Sequence, residues 1–406
     1  MKKEDLIGLE LEFILTDENG EAVNRAPEVF SHPNRADYIV PDLTKMIVEV
    51  NSPPESSISS LDYAFRNQLL ALNDLTSRLN LFEVPISIVG PGSKPEMIKP
   101  NDLRCISRYI SDQRFFNDDQ VDMAFSITGT HIHIDQKDDK AAQYNLLLSL
   151  DPVFALLSDT SYIRGQNTLN SGRVNAYRNM MFGDLPLHGQ LPAYVSGEQE
   201  IHDLNDLRYS ILMDRFKGIE GVEDAYSALS SVWGPLRLSD KNTMEVRNSD
   251  SNLPSLVVGL AAFYQGVVNH VFDNDLEVRI SEEPNTYDIS DSEIILPSYD
   301  TLKQFENSGI RFGLKEDELN EYLSYLVTVA NNGLEIADRK YLDPFKQMLA
   351  SRRNMADVIS MYAHQIDPSV NGTISQPTAN RVNQFMRGLH VDDLAGKQTF
   401  LNYVNN

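Results

Sequence analysis

Apolar and polar residues alternate near the start of the chain, in the segment LIGLELEFIL at residues 6–15. Every second residue from Ile7 to Leu15 is apolar, which is typical of a strand with one face in a hydrophobic core. The opposite face carries Glu10 and Glu12. Two carboxylates this close raise each other's pKa unless a cation or a shared proton offsets their charge, so the pair indicates a bound metal or acid–base chemistry. A solvent-facing edge strand is the alternative that this motif alone leaves open.

Strand and helix patterns continue along the rest of the chain. Further strands are predicted at 46–54, 83–90, 123–135 and, as a hairpin, at 231–239 and 242–249. Helices are predicted at 61–79, 141–157, 251–272, 319–342 and 344–366. The uncharged stretch at 251–272 approaches the length of a membrane span, but its polar residues favour a buried core helix. Short strands interspersed with helices in uneven order predict an α+β fold with a largely antiparallel sheet.

Two polar stretches lie between the predicted elements, and the first of them has no clear period. Residues 164–200 are rich in Gly, Asn, Pro and Arg, and long loops of this kind in compact proteins often cover a functional site. Residues 273–293 are polar and acidic, which predicts a surface connection. The first stretch is therefore a candidate lid, and the second is not.

Composition narrows the class of protein. The 406 residues include 59 Asp and Glu against 35 Lys and Arg, for a formal net charge of -24. This balance argues against nucleic acid or an anionic membrane as the main partner. The single cysteine, Cys105, excludes a disulfide within the chain and favours a reducing compartment, most simply the cytoplasm. The N-terminal segment is interrupted by acidic residues, so we expect a strand there and not a signal peptide.

Four predicted strands place charged or imidazole groups among apolar neighbours. These groups are Glu10 and Glu12, Glu49, His131 and His133, and Glu245 and Arg247. Each motif alone is weak evidence for a functional site. A buried histidine is commonly a hydrogen-bonded core residue, and a Glu/Arg pair two positions apart is commonly part of a row of charges on an exposed strand. Four such strands in one sheet make a shared site the better interpretation.

The ligand types indicate the metal and the reaction. Carboxylates with imidazole and no thiolate favour Mg²⁺ or Mn²⁺, although a zinc ion remains an alternative. Several carboxylates with several arginines suit two or three Mg²⁺ ions holding a polyphosphate, and the arginines would neutralise phosphate oxygens during transfer. The chain has no P-loop, dinucleotide-binding or kinase motif. The site is therefore predicted to bind ATP on a sheet and to transfer a phosphoryl group.

Five segments together resemble glutamate–cysteine ligase family 2, the carboxylate–amine ligases of the glutamine synthetase superfamily. The segments are GLELEF (8–13), YRNMMFGDLPLHGQLP (177–192), GTHIHID (129–135), WGPLRLSDKNTMEVRNSD (233–250) and ENSGIRFGL (306–314). The resemblance implies a glutamine synthetase-like catalytic domain at 1–314, with a curved, mainly antiparallel sheet flanked by helices. Residues 315–406 would form a helical region packed on that domain.

The resemblance also implies an activity. ATP would phosphorylate a substrate carboxylate, and an amine would attack the acyl phosphate to form an amide. The partners would be ATP, an amino-acid-like carboxylate and an amine acceptor, and the sequence leaves the oligomeric state open, with a homo-oligomer as one alternative. Glutamate and cysteine are one pair of substrates, and another amino acid, peptide or amine is an alternative.

Site residues carried over from the family fall into four groups. The implied metal ligands are Glu10, Glu12, Glu49, His131 and Glu245, with Asp42 as a sixth. Arg247, Glu245 and Glu12 would be catalytic. Arg247, Arg311 and His133 would contact the nucleotide phosphates, and Arg178 and Arg237 would hold a substrate carboxylate. His133 could instead be a hydrogen-bonded sheet residue, and Asp42 and Arg178 could be structural.

Two other functions use the same residues. A metal-dependent hydrolase would activate water with the carboxylates and His131, without a nucleotide. A binding protein would keep the fold and bind a nucleotide or amino acid without turnover. A lost metal ligand would favour the binding protein, and the sequence retains them all.

Overall fold

The main sheet of the protein is formed by strands that are distant in sequence. The computed structural model describes residues 5–87, 90–98, 117, 120, 124–159, 162–163, 166–167, 169–185, 187–370 and 372–405. The strands of this sheet are β1 (Ile7–Thr16), β2 (Ile39–Pro41), β3 (Ile47–Asn51), β4 (Phe82–Val84), β5 (Gly129–Asp135), β8 (Leu236–Leu238) and β9 (Thr243–Asp250). Their order is β2-β3-β1-β5-β9-β8, with β4 also paired to β1, and the pairings are antiparallel. The predicted α+β fold is confirmed.

Smaller strands and many helices complete the described part of the chain. The smaller strands are β6 (Tyr162–Ile163), β7 (Gln166–Asn167), β10 (Glu277–Ile280), β11 (Asp288–Ile289) and β12 (Glu293–Leu296). The α-helices are Ala26–Phe30, Ile58–Arg78, Lys140–Ser149, Phe154–Leu157, Gly172–Asn175, Glu198–Arg215, Val222–Ala225, Pro254–Asp273, Tyr299–Phe312, Asp317–Gly333, Asp343–Ser351, Met355–Ile366, Gln376–Leu394 and Leu401–Val404. Short 3₁₀ turns are Asp151–Val153, Gly313–Lys315 and Arg339–Leu342, and Ala176–Met181 is a π-helix.

The apolar face of the sheet packs on helices. Leu9, Leu11 and Phe13 of β1 are fully or almost fully buried, and the helix Pro254–Asp273 contacts both β1 and β5. This helix is long and apolar enough to span a membrane by length and composition, yet 83% of its apolar window is buried inside the protein. It is the core helix that the sequence predicts. One hydrophobic core extends from β1 to the C-terminal helices, and the domain boundary at 314 stays a prediction.

Several predicted elements end earlier than their sequence patterns indicate. The strand predicted at 83–90 ends at Val84, because Pro85 has no N–H to donate to the ladder. The helix predicted at 141–157 ends at Ser149 and resumes at Phe154 after a 3₁₀ turn that contains Pro152, since proline cannot continue the helical hydrogen bonds. Residues 88, 89 and 123 of the predicted strands lie outside the described residues.

Other predicted elements differ in type. The 273–293 stretch is not only a surface connection, because it contains β10 and β11, which form a small sheet with β12 at its end. The 164–200 stretch contains the helix Gly172–Asn175 and the π-helix, although residues 164, 165, 168 and 186 lie outside the described part.

The predicted helix at 319–342 ends at Gly333, and the one at 344–366 is interrupted at Arg352, whose φ is 54°.

Glycine allows the core helix to lie against the helix Asp317–Gly333. A Cβ on Gly266 would lie 2.3 Å from the Ala330 carbonyl oxygen, whereas a Cβ on Gly388 would meet nothing within 4 Å. We expect Gly266→Ala to lower the free energy of unfolding by about 1–3 kcal/mol because the helices must separate. Gly388→Ala, on the exposed face of its own helix, should raise it by up to about 1 kcal/mol. Urea denaturation measures both, and equal stabilities would contradict the close approach.

Candidate active site

Strand register brings the predicted acidic and imidazole residues onto one face of the sheet. Glu10 of β1 lies opposite His131 of β5, and Glu12 lies opposite Glu49 of β3. Across the next ladder His133 lies opposite Glu245, which in turn faces Arg237 of β8. Directly opposed side chains on one face are about 5 Å apart at Cβ. The face opposite the core is therefore a polar surface made by five strands, β3, β1, β5, β9 and β8.

Glu10, His133 and Glu245 form one potential metal-binding group, which we call cluster A. Their ligand atoms all lie within 4.8 Å of one another, and His133 Nε2 is 3.0 Å from Glu10 Oε1. Two ligands that bind an octahedral ion at about 2.1 Å and at right angles are about 3 Å apart. The donor types and this spacing fit a Mg²⁺ or Mn²⁺ ion.

Glu12, Asp42 and Glu49 form a second group, cluster B, with the same 4.8 Å limit. Burial and the charge of Asp42 raise the pKa of Glu12 to about 8, although Arg173 and the backbone N–H of Gly129 oppose this shift. Burial, followed by the charges of neighbouring carboxylates, raises the pKa of Glu49 well above its ordinary value, and burial raises the pKa of Asp42. Glu12 is buried and Asp42 and Glu49 are half-buried, and three such carboxylates that resist ionisation together are the arrangement that a divalent cation would relieve.

Glu245 is the fully buried centre of an ion-pair network. It accepts hydrogen bonds from Arg237 Nε at 2.6 Å and Arg237 Nη2 at 3.1 Å, and another from Arg247 Nη1. Burial alone would raise the pKa of Glu245, but the charges of Arg247 and Arg237 dominate and lower it to about 2. The carboxylate stays charged and can bind a cation on its cluster A side while it orients two guanidinium groups.

His131 and His133 both contact Glu10. His131 Nδ1 lies 3.0 Å from Glu10 Oε2 and 3.8 Å from Glu245 Oε1, and His133 Nδ1 lies 2.9 Å from Thr243 Oγ1. Burial and the charge of Arg247 lower the pKa of His131 to about 4, so this ring is neutral near pH 7. The sequence assigns His131 to the metal and His133 to a nucleotide phosphate. In the structure it is His133 that lies with Glu10 and Glu245 in cluster A. Both assigned roles stay predictions.

Two of the predicted arginines form no ion pair with the carboxylates of clusters A and B in the described part of the chain, and Arg178 pairs instead with Asp151 and Glu306. Arg178 is 3% exposed and is held by Asp151 through two hydrogen bonds of 2.9 and 2.7 Å, and by Glu306. Arg311 is exposed near the end of the helix Tyr299–Phe312. The structure thus brings Arg237 and Arg247 to the clusters, places Arg178 in a buried ion network and leaves Arg311 on the surface.

Arg173 and Tyr177 belong to the site but were not predicted from the sequence. A Cβ on Gly129 would lie 2.3 Å from Arg173 Nη2, so the guanidinium group lies directly against the backbone of β5 at this glycine. The backbone N–H of the same Gly129 donates to Glu12 Oε2 at 2.6 Å. Arg173 and Tyr177 line the same small recess as Arg247, and Arg178 also forms part of its wall. The four-residue spacing of Arg173 and Tyr177 on a helix could have indicated a shared face, but the stretch has no apolar period that predicts a helix.

A larger cavity adjoins cluster A. Its volume is about 230 Å³, and its wall includes Glu10, His133 and Lys241 together with the apolar Leu9 and Pro54. Pockets of mixed polar and apolar lining beside charged groups are the usual sites for small ligands.

Comparisons with known proteins agree with the motifs. The sequence profile of glutamate–cysteine ligase family 2 matches residues 6–369. A Ruegeria pomeroyi protein named "Putative glutamate--cysteine ligase 2" is 23% identical over 278 residues, which are 66% of this chain and 66% of that protein. The chain thus spans just under two thirds of that relative's length.

Two crystal structures have a similar fold. A glutamate–cysteine ligase from Francisella tularensis, in complex with AMP, matches with a TM-score of 0.58 at 13% identity and covers 100% of this chain and 97% of that one. A bifunctional glutathione synthetase from Pasteurella multocida matches with a TM-score of 0.61 at 12% identity and covers 99% of this chain and 56% of that one. The family match covers most of the chain, so this protein belongs to glutamate–cysteine ligase family 2, a family of carboxylate–amine ligases.

Proposed function

We propose that the protein is an ATP-dependent ligase of the glutamate–cysteine ligase type. It would phosphorylate a substrate carboxylate with ATP and join the resulting acyl group to an amine. The observation that carries the proposal is the pair of adjacent clusters A and B on one sheet face, flanked by Arg237, Arg247 and Arg173. Hard anionic ligands beside guanidinium groups suit a metal–polyphosphate complex.

Each cluster would hold one divalent cation on this proposal. Bound Mg²⁺ would supply charge neutralisation and alignment of the phosphate oxygens. The protein's own contribution is rigid placement, because Glu10, Glu12 and Glu49 are held on hydrogen-bonded strands. Glu245 fixes the guanidinium groups of Arg237 and Arg247 before substrate arrives, so little reorganisation is needed when negative charge develops.

Arg247 is proposed to meet the transferred phosphate. Its side chain is 18% exposed and lies between Glu245 and Tyr177, so it can reach an anion on the open side of the face. Arg237 uses Nε and Nη2 for Glu245, and further N–H donors of its guanidinium can hold a substrate carboxylate. The cavity beside cluster A is the proposed place of the nucleotide, next to Glu10 and His133.

The test is a substrate screen. The purified protein is incubated with ATP, Mg²⁺ and pairs of amino acids, peptides and amines, starting with glutamate and cysteine, and ADP, phosphate and product mass are measured. The ligase predicts release of ADP and phosphate that requires both an acid and an amine. Metal-dependent turnover without ATP would identify a hydrolase instead. Tight MgATP binding without turnover over the whole panel would identify a binding protein.

Loss of one carboxylate of cluster B is expected to remove one cation site. Glu12→Gln keeps the shape of the side chain but replaces a carboxylate ligand with a weaker neutral amide, so we expect affinity at cluster B to fall by about 10–100-fold or more. Calorimetric titration with Mn²⁺ should show one site fewer than in the wild type. Glu277→Gln, at an exposed glutamate of β10, is the control, and an unchanged stoichiometry in Glu12→Gln would contradict the assignment of cluster B.

A further inference from the structure

Lys241 reaches from a tight turn into cluster A. It lies in the turn between β8 and β9, where Ser239 N donates to the Thr243 carbonyl at 2.9 Å and Asn242 has a left-handed φ of 61°. These contacts hold the backbone of the turn, while the Lys241 side chain is 60% exposed. The lysine therefore has a fixed base and a side chain with freedom to move.

The ammonium group occupies the open side of Glu10. Lys241 Nζ donates to Glu10 Oε1 at 2.9 Å, and the same oxygen lies 3.0 Å from His133 Nε2. This is the oxygen–nitrogen pair whose spacing fits a divalent cation. A positive charge that bonds the same carboxylate oxygen competes directly with a metal ion for it.

The competing contact is easily broken. An ion pair with a mostly exposed lysine contributes little free energy, because water solvates the free ammonium well. Lys241 also lies in the wall of the cavity of about 230 Å³ that we assign to the nucleotide. A lysine on a flexible four-carbon stem can turn from Glu10 to a phosphate oxygen in that cavity without movement of the turn.

We infer that Lys241 is an exchangeable cation of the site. It pairs with Glu10 when metal and nucleotide are absent, and it leaves Glu10 to contact a nucleotide phosphate when the metal–nucleotide complex binds. Lys241 thus lowers the affinity of cluster A for free Mg²⁺ and raises the affinity for MgATP. This inference rests on the proposed function, since it assumes that the cavity holds the nucleotide.

Calorimetry on the intact protein tests the two effects separately. Mg²⁺ alone and then a Mg²⁺ complex of a non-hydrolysable ATP analogue are titrated into the wild type, Lys241→Met and Lys241→Arg. In Lys241→Met we expect free Mg²⁺ to bind about two- to fivefold more tightly, because its competitor is lost. The analogue should bind about tenfold more weakly, because a charged phosphate contact is lost. Lys241→Arg keeps the charge and should stay nearer to the wild type in both titrations.

A remote lysine provides the matched control. Lys140 pairs with Glu198 on the surface and is 31% exposed, so Lys140→Met should change neither affinity. If the wild type binds the analogue but Lys241→Met binds Mg²⁺ or the analogue as the wild type does, the inference about Lys241 is overturned and the proposed function stands. If the wild type does not bind the analogue, both are overturned.

Discussion

Glu245→Gln is expected to lower ligase turnover by about 10³-fold or more. The substitution removes an anionic ligand from cluster A and the partner that orients Arg237 and Arg247. Removal of a single preorganised electrostatic contact commonly costs 10²–10³-fold, and misplaced arginines in phosphoryl transfer cost about as much or more. Because Gln is nearly isosteric with Glu, the fold should persist. Steady-state release of ADP with the best acid–amine pair measures the effect.

The control separates a lost site from a lost fold. Glu277→Gln, at an exposed strand position, should turn over as the wild type does, and the urea midpoints of both variants should show that each is folded. If folded Glu245→Gln retained turnover within a few-fold of the wild type, the assignment of clusters A and B as the active site would be wrong.

Arg178→Met is expected to lower the free energy of unfolding by about 3–5 kcal/mol. Arg178 is 3% exposed and pairs with both Asp151 and Glu306, which are each 2% exposed, while Lys303 also pairs with Glu306. Asn248 of β9 also donates to Asp151 Oδ1 at 3.0 Å, so the network joins the sheet, the π-helix and the helix Tyr299–Phe312. Removal of the guanidinium leaves carboxylates buried without their main counter-charge. Urea unfolding with linear extrapolation measures the change.

An exposed pair provides the comparison. Arg215 Nη2 lies 3.2 Å from Asp184 Oδ2, and the two side chains are 34% and 54% exposed. Arg215→Met should therefore change the free energy of unfolding by no more than about 1 kcal/mol. Arg178→Lys keeps the charge but not the bidentate geometry, and its stability should lie between those of wild type and Arg178→Met. If Arg178→Lys instead raised KM for the acid substrate without a change in stability, Arg178 would hold a substrate carboxylate, as the sequence motif implies.

Local patterns in the sequence predict much of this fold. The alternation in β1, the helical spacing from Leu61 to Leu75 and the uncharged helix Pro254–Asp273 all give the observed elements, because each is stabilised by a continuous apolar face. The prediction is worse where one residue overrides a pattern, as Pro85 and Pro152 do. It is also worse at 273–293, where short strands pair with each other and their polar composition gives little sign of a core.

The sequence by itself determined which residue types the polar face of the sheet carries, because strand alternation places Glu10 with Glu12 and His131 with His133 whatever their neighbours are. Only the tertiary structure decided how those residues divide into clusters A and B, since the register between β1, β3, β5 and β9 depends on pairings of residues far apart in the chain. The same holds for the different positions of Arg178 and Arg173 and for the contact of Lys241 with Glu10. Each arises from long-range packing, which a local sequence pattern does not record.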